Sequence, residues 1–191
     1  MSLLRAAVDD PGCIVRSDST SLPPLARPVR VLHVVYALHP GGMEHGVVKL
    51  ANGLDPAAVH SAICATTPGG ALTPMVSAHV PVFELRRRQG NDPSLVWQLA
   101  RLFRRVRPDI VHTHAWGTLV EGWLAARVAR VPVVAHGEHG TLQDQPHQIW
   151  MQRHVWRRVD RVRSVSSRLA EKLSAATGFP LDRITVIRNG V

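Results

Sequence analysis

Residues 29–42 read VRVLHVVYALHPGG. From Val29 to Leu38 apolar side chains fall at odd and even positions alike, the pattern of a strand covered on both faces, as in the middle of a parallel sheet. Gly41 and Gly42 end that run. Met43 to Leu54 then sets Val47, Val48, Leu50 and Ala51 at helical spacing, so the chain passes from strand through a glycine turn into a helix. That is the opening unit of an α/β fold.

The alternation continues to the last residue. Short β-branched runs predict strands at Ala58 to Thr66, Pro81 to Leu85, Asp109 to His114, Val131 to His136, Val162 to Ser166 and Ile184 to Ile187. Between them lie predicted helices over Leu95 to Val106, Leu119 to Ala129, His147 to Arg158 and Leu169 to Ala176. Pro93 and Ser94 suit the first-turn or cap positions of one, and Ser166 or Ser167 the cap of another. The fold expected is α/β, a Rossmann-like, doubly wound, mostly parallel sheet. Residues 1–28 hold a Ser/Asp/Pro mixture without sustained period and read as a flexible leader to a domain spanning 29–191. The sequence stops at Asn189-Gly190-Val191, just after a strand, as at a domain boundary.

The 191 residues suit one core, and 45% apolar with 19% charged residues is a globular composition. Lys and Arg outnumber Asp and Glu by 23 to 14, giving +9 with neutral histidines. That sign favours anionic partners: phosphorylated sugars, an anionic lipid surface or nucleic acid. Arg101, Arg104, Arg105 and Arg107 fall on one predicted helix, while Arg153, Arg157, Arg158, Arg161 and Arg163 gather around Trp150 and Trp156. Basic helices with Trp fit an anionic membrane surface or a plain solvated face. No helix-turn-helix, finger or aromatic sheet motif accompanies the charge, which speaks against nucleic acid. Cys13 and Cys64 match neither a disulfide framework nor a metal-binding spacing. No run approaches the ~18 apolar residues that cross a bilayer, so a cytoplasmic protein is expected, touching a membrane only peripherally.

In open α/β sheets, ligands sit beyond the carboxyl ends of the strands, where loops diverge and helix N-termini point free N–H groups outward. On the strands above, Gly41-Gly42 follow strand one and His112 and His114 end strand four. His136-Gly137-Glu138-His139-Gly140 follows strand five, and Ser166 follows strand six. All four groups therefore fall on one rim. Gly41 and Gly42 allow a close backbone approach or a plain tight turn, and Glu44 either orients a hydroxyl or answers the helix dipole. His112 and His114, two apart, share a face. His112 reads as structural and His114, nearer the rim, as functional. A zinc site of these two with His136, Glu138 and His139 lacks any recurrent spacing.

Together and in order, VRVLHVVYALHPGGMEHGVVKLANGL, RPDIVHTHAW, VPVVAHGEHG, VRSVSSRLAEKL and ITVIRNGV resemble the amino-terminal domain of family 4 glycosyltransferases, of the GT-B fold. The HGEHG and GGMEHGVV forms are similar to sugar transferases associated with bacterial exopolysaccharide systems. The resemblance implies two Rossmann-like halves, the first binding acceptor and the second nucleotide-sugar. Transfer of a hexosyl group to a glycan or lipid-linked acceptor would retain anomeric configuration by same-face attack, without metal or other cofactor.

It further implies that the catalytic positions are His139, of the "H-G" motif with Gly140, and His114. Gly41, Gly42 and Glu44 match the G-G-x-E pattern that approaches donor phosphates and acceptor; from their place on the rim, and not from the resemblance, His112, His136, Glu138 and Ser166 are expected as further substrate contacts. Asn189 and Gly190 match the turn into the hinge. The E-x7-E motif of the family's carboxyl-terminal donor-binding domain does not occur in this sequence. A NAD-binding domain would want G-x-G-x-x-G after the first strand, and Gly41, Gly42 and Gly46 do not make it. A non-catalytic Rossmann-like binding module using the basic faces is the other reading.

Overall fold

The structure is a computed structural model describing residues 27–88, 92–140 and 142–188. Most of the expected leader, and Asn189 and Gly190, lie outside the described residues. Seven parallel strands form one sheet: β1 (Val29–Val35), β2 (Val59–Ala65), β3 (Val82–Glu84), β4 (Ile110–His114), β5 (Val133–Glu138), β6 (Arg161–Ser164) and β7 (Ile184–Val186). Their order is β3-β2-β1-β4-β5-β6-β7. The direction of winding reverses between β1 and β4, and in such sheets the crevice beyond those two carboxyl ends is the natural ligand site.

Five helices connect the strands: α1 (Gly42–Gly53), α2 (Pro93–Val106), α3 (Trp116–Ala129), α4 (Pro146–Trp156) and α5 (Ser167–Thr177). The larger core packs Leu32, Val34, Val111, Val134 and Val162 of the sheet against Leu99 and Phe103 of α2, Leu119 of α3, Val155 and Trp156 of α4 and Leu173 of α5. Trp156 is fully buried and meets Phe179 edge-on at 5.3 Å. On the opposite face Val47, Val48 and Ala51 of α1 pack with Val35, Leu38 and Ile63. Both faces are thus wound as expected, four helices against one among the described residues. Cys64 lies within the larger core, where burial pushes its thiol up to about 12.

Several boundaries differ from the sequence reading. β1 stops at Val35, and β5 runs through Glu138 because His114 pairs with Gly137 and Glu138 with Ser164. Gly137 and Glu138 therefore sit inside the strand with His136 and not beyond it. The cap of α2 is Asp92, whose carboxylate accepts the Ser94 N–H at 3.0 Å, with Pro93 in the first turn. α4 ends at Trp156, so Arg161 and Arg163 belong to β6 and not to a basic helix. Gly122 lets α3 lie close on β4, since a Cβ there would come within 2.5 Å of Thr113 Cγ2.

Aspartates tie the amino ends of the strands together. Asp109, just before β4, accepts the Arg30 N–H of β1 at 2.9 Å and both Arg27 Nη groups at 2.6 and 2.7 Å. Asp160, just before β6, accepts the Val134 N–H of β5 at 2.8 Å. The Arg27 hydrogen bonds hold the Asp109 carboxyl well below the usual carboxylate range. Its folded pKa is thus depressed, so the stabilisation is complete above the unfolded value near 4 and is lost as pH falls below it. We expect Asp109→Asn to cost about 1 kcal/mol at neutral pH, given the exposure of the pair. Urea unfolding at neutral pH and near pH 3 should show the gap between variant and parent narrowing in acid.

Candidate functional site: an imidazole-lined cavity at the switch point

Paired residues of parallel neighbours project to the same face. His33 of β1 pairs with His112 of β4, His114 with Gly137 of β5, and Gly137 with Arg163 of β6. All five therefore share the face that carries α1. After β5 the chain brings His139 over Gly137, where its Nε2 lies 3.1 Å from His114 Nδ1. His114 Nε2 lies in turn 3.2 Å from His33 Nδ1. A line of three imidazoles runs from the rim into the core, and the His112 ring packs on His114 at 4.0 Å between centroids.

The glycine is what makes this possible. A Cβ on Gly137 would stand 3.2 Å from His112 Nε2, 3.2 Å from His139 Nε2 and 3.7 Å from His114 Nδ1. The backbone beyond His114 is equally constrained. Ala115 takes φ 58°, ψ 168°, a region that costs a non-glycine residue on the order of 1–3 kcal/mol. Its N–H donates to the Gly137 carbonyl at 2.8 Å, and Thr118 Oγ accepts the His114 N–H at 3.0 Å. Gly140, with φ +132°, continues the turn in a conformation that favours glycine.

These residues open on a cavity of about 690 Å³ lined by Gly42, His45, His112, His114, His139 and Arg163, with Lys49 and Arg188 also in its wall. The amino end of α1 forms one side, and no side chain caps it. Its first N–H groups are left for an anion or a hydroxyl. Burial pushes His33 down to about 4, helped by the nearby Arg163 charge. It pushes His112 and His114 well below the ordinary imidazole range, the neighbouring histidines adding to the effect. His139 is lowered too, chiefly by burial. These four imidazoles are therefore neutral near pH 7, and Arg163, Lys49, Arg188 and the helix end bring positive charge to the site.

The structure brings together Gly42, His112, His114 and His139 from the residues singled out in the sequence, while Glu138 borders the same cavity with its carboxylate bonded to His136 and Gln152 on the helical face. Gly41 caps α1 with φ −163°, its carbonyl 2.8 Å from His45 Nδ1, and a Cβ there would collide with the Glu44 carboxylate. Neither Gly41, Glu44 nor Gly140 is in the cavity wall. Ser166 spends its hydroxyl on the α5 cap, accepting the Leu169 N–H at 3.1 Å. His136 pairs with Thr113 and so faces the helical core. Its Nδ1 meets Thr113 Oγ1 at 2.8 Å and its Nε2 meets Glu138 Oε1 at 2.9 Å, with Gln152 Nε2 donating to the same oxygen at 2.7 Å. A zinc set joining His136 and Glu138 to His112 and His114 therefore does not converge, because the two pairs occupy opposite faces. His33, His45 and Arg163 went unnoticed in the sequence. His33 is hidden in an apolar strand, and Arg163, on the predicted strand Val162 to Ser166, was read only as one of a basic group.

A parallel α/β sheet with an uncapped helix end and imidazoles at the switch point defines a Rossmann-like domain with a polar ligand cavity. The chain belongs to glycosyltransferase family 4, whose family pattern matches residues 40–191. Among solved structures it is similar to HepE of Anabaena in complex with UDP and glucose (TM-score 0.71, 18% identity, 85% of this chain and 45% of that one). It is similar also to the lipopolysaccharide outer core galactosyltransferase WaaB (0.63, 15%, 85% and 46%). UDP-GlcNAc 2-epimerase of Neisseria meningitidis, bound to UDP-GlcNAc, shares the fold (0.59, 17%, 83% and 45%). The chain spans less than half the length of each. No curated protein matches the sequence.

Gly137→Ala tests the role of the missing side chain. The added methyl presses on two imidazoles by a few tenths of an ångström, so we expect the full-length protein to fold with normal circular dichroism. Its turnover should fall by ~10-fold, a fraction of what a full ångström of misplacement costs.

Proposed function

We propose that this domain is the acceptor-side half of a retaining, nucleotide-sugar-dependent transferase that moves a hexosyl group to a glycan or lipid-linked acceptor in polysaccharide biosynthesis. One observation carries the reading. The uncapped end of α1, the His139–His114 pair and Arg163 converge on a single cavity at the switch point, and that cavity offers polar groups without a carboxylate nucleophile at its centre. HepE, similar in fold, is seen with UDP and glucose. Family membership favours transfer over the epimerisation that the same fold supports elsewhere.

In this reading the diphosphate charge falls on the N–H groups of α1 and on Arg163, Lys49 or Arg188, so the donor needs no divalent cation. His139 supplies a neutral hydrogen-bonding nitrogen beside the sugar. Its Nε2 is taken up by His114, which leaves Nδ1 for the ligand. Charge that builds on the donor during bond breaking is then met by dipoles already in place, the effect that contributes most in such sites. We expect His139→Ala in the full-length enzyme, assayed with UDP-glucose and no added divalent cation, to lose transfer by on the order of 100-fold with unchanged folding. Retained turnover would overturn the assignment.

The acceptor side of the reading includes an anionic membrane surface. Trp97, Arg101, Arg104 and Arg105 follow one another at helical spacing on α2, and Trp97 is 64% exposed. Among the described residues no helix is long and apolar enough to cross a membrane. Sedimentation with phosphatidylglycerol vesicles should carry the protein down. Glu substituted at Arg101, Arg104 and Arg105 should leave it in the supernatant, as should neutral vesicles.

A further inference from the structure

Beneath the cavity floor, His33, His112 and His114 form a group that the transfer reading does not use as a unit. Each offers a ring nitrogen, and the three nitrogens lie within 4.8 Å of one another. All three rings are buried, at 2%, 8% and 2% exposure. Three neutral imidazoles carry three N–H groups and three lone pairs, and one hydrogen bond, His33 Nδ1 to His114 Nε2, joins members of the set. His112 Nε2, which faces the hollow at Gly137, is buried with no hydrogen-bond partner among the described residues. Orphaned polar atoms of this kind cost roughly 1–3 kcal/mol each and call for an explanation.

We propose that His33, His112 and His114 form a binding site for one divalent transition-metal ion of the zinc type, with its remaining position open to the cavity. Two nitrogens held at about 2.0–2.1 Å from one tetrahedral ion stand ~3.3 Å apart. The His33–His114 separation of 3.2 Å already meets that spacing. The widest separation, at most 4.8 Å, has to close by up to ~1.5 Å to reach that spacing. His112 and His114 reach the cavity wall, which gives the ion a way in. The outer ring of partners fits as well. If His114 gives its Nε2 to the ion, its Nδ1–H donates to His139 Nε2 at 3.1 Å, the arrangement by which metal-bound imidazoles are usually oriented.

Three neutral nitrogen donors select zinc, cobalt, nickel or copper over magnesium or calcium, which want oxygen. Arg163 shares this face and opposes a dication, so weak, hard-ion binding is disfavoured further. The ion would sit below the sugar cavity and steady His114 and His139, while the donor phosphates remain on α1. The inference does not rest on the transfer reading, because metal content is measured without turnover.

The test uses the untagged 191-residue chain, loaded with Zn²⁺ or Co²⁺ alone and then freed of excess metal. We expect one ion per chain, and for Co²⁺ the visible absorption of a four-coordinate site. His33→Phe and His112→Phe should weaken binding by on the order of 100-fold or more, His139→Ala by about 10-fold, and His147→Ala, on an exposed residue, not at all. Should the Phe variants fail to fold, nitrogen NMR of the parent decides. Zn²⁺ must move the ring signals of His33, His112 and His114 together. Substoichiometric retention, or shifts confined to exposed histidines, would overturn the proposal.

Discussion

Parallel pairing sets Gly137 of β5 directly between His114 of β4 and Arg163 of β6, at the ~4.8 Å spacing of neighbouring strands. A β-branched residue is what a buried parallel strand ordinarily carries there. The glycine instead leaves a hollow one side chain deep, and three imidazole nitrogens gather round it. The cavity floor, the His139–His114 hydrogen bond and the position of His139 all depend on that hollow. β4 is held from behind by α3 through Gly122 and Thr113, and from its amino end by Asp109.

The two faces of the sheet answer to different physics. One is covered by four helices and is almost wholly apolar, apart from the hydrogen-bonded set of Thr113, His136, Glu138 and Gln152. The other is covered over β1 and β2 by α1, while over β4 to β6 it presents His112, His114, Gly137 and Arg163 to the cavity. Stability is concentrated on the first face. The second keeps neutral rings and a half-buried guanidinium whose pKa burial lowers, groups that add little to folding and are placed to meet a ligand.

The order of strands and helices was legible because each strand carries a strong apolar period and each turn a glycine, proline or capping residue. The convergence of the first, fourth and fifth strand ends on one rim was legible too, since it follows from topology alone. What the sequence hid is a matter of register. HGEHG reads as a loop because two glycines and three polar residues look like a turn. Pairing with β4 and β6 nevertheless carries its first three residues into the sheet, and alternation then sends His136 and Glu138 to one side and Gly137 to the other. His33 was invisible as a site residue for the same reason. Its meeting with His112 across 79 residues is a consequence of strand order, which no local pattern records. Ser166 shows the opposite failure: a residue on the right rim whose hydroxyl is already committed to a helix cap.

Neutrality of the imidazoles links the two halves of this picture. Charged rings packed this closely would repel one another and Arg163, so the cluster exists only because burial holds every ring unprotonated. A neutral ring has one donor and one acceptor, and the chain of contacts from His33 through His114 to His139 therefore has a direction. If His33 Nδ1 donates, each ring passes the pattern on and His139 presents a Nδ1–H to the cavity. If the direction is reversed in the metal-free cluster, His139 presents a lone pair and His33 is left with a buried N–H that has no partner among the described residues. An orphaned donor is the less tolerable of the two orphans in a protein interior. The core end of the chain thus dictates what the rim end can offer. In the proposed transfer reading, His139 would then meet its ligand as a hydrogen-bond donor, the form suited to a sugar oxygen that gains negative charge as its bond breaks.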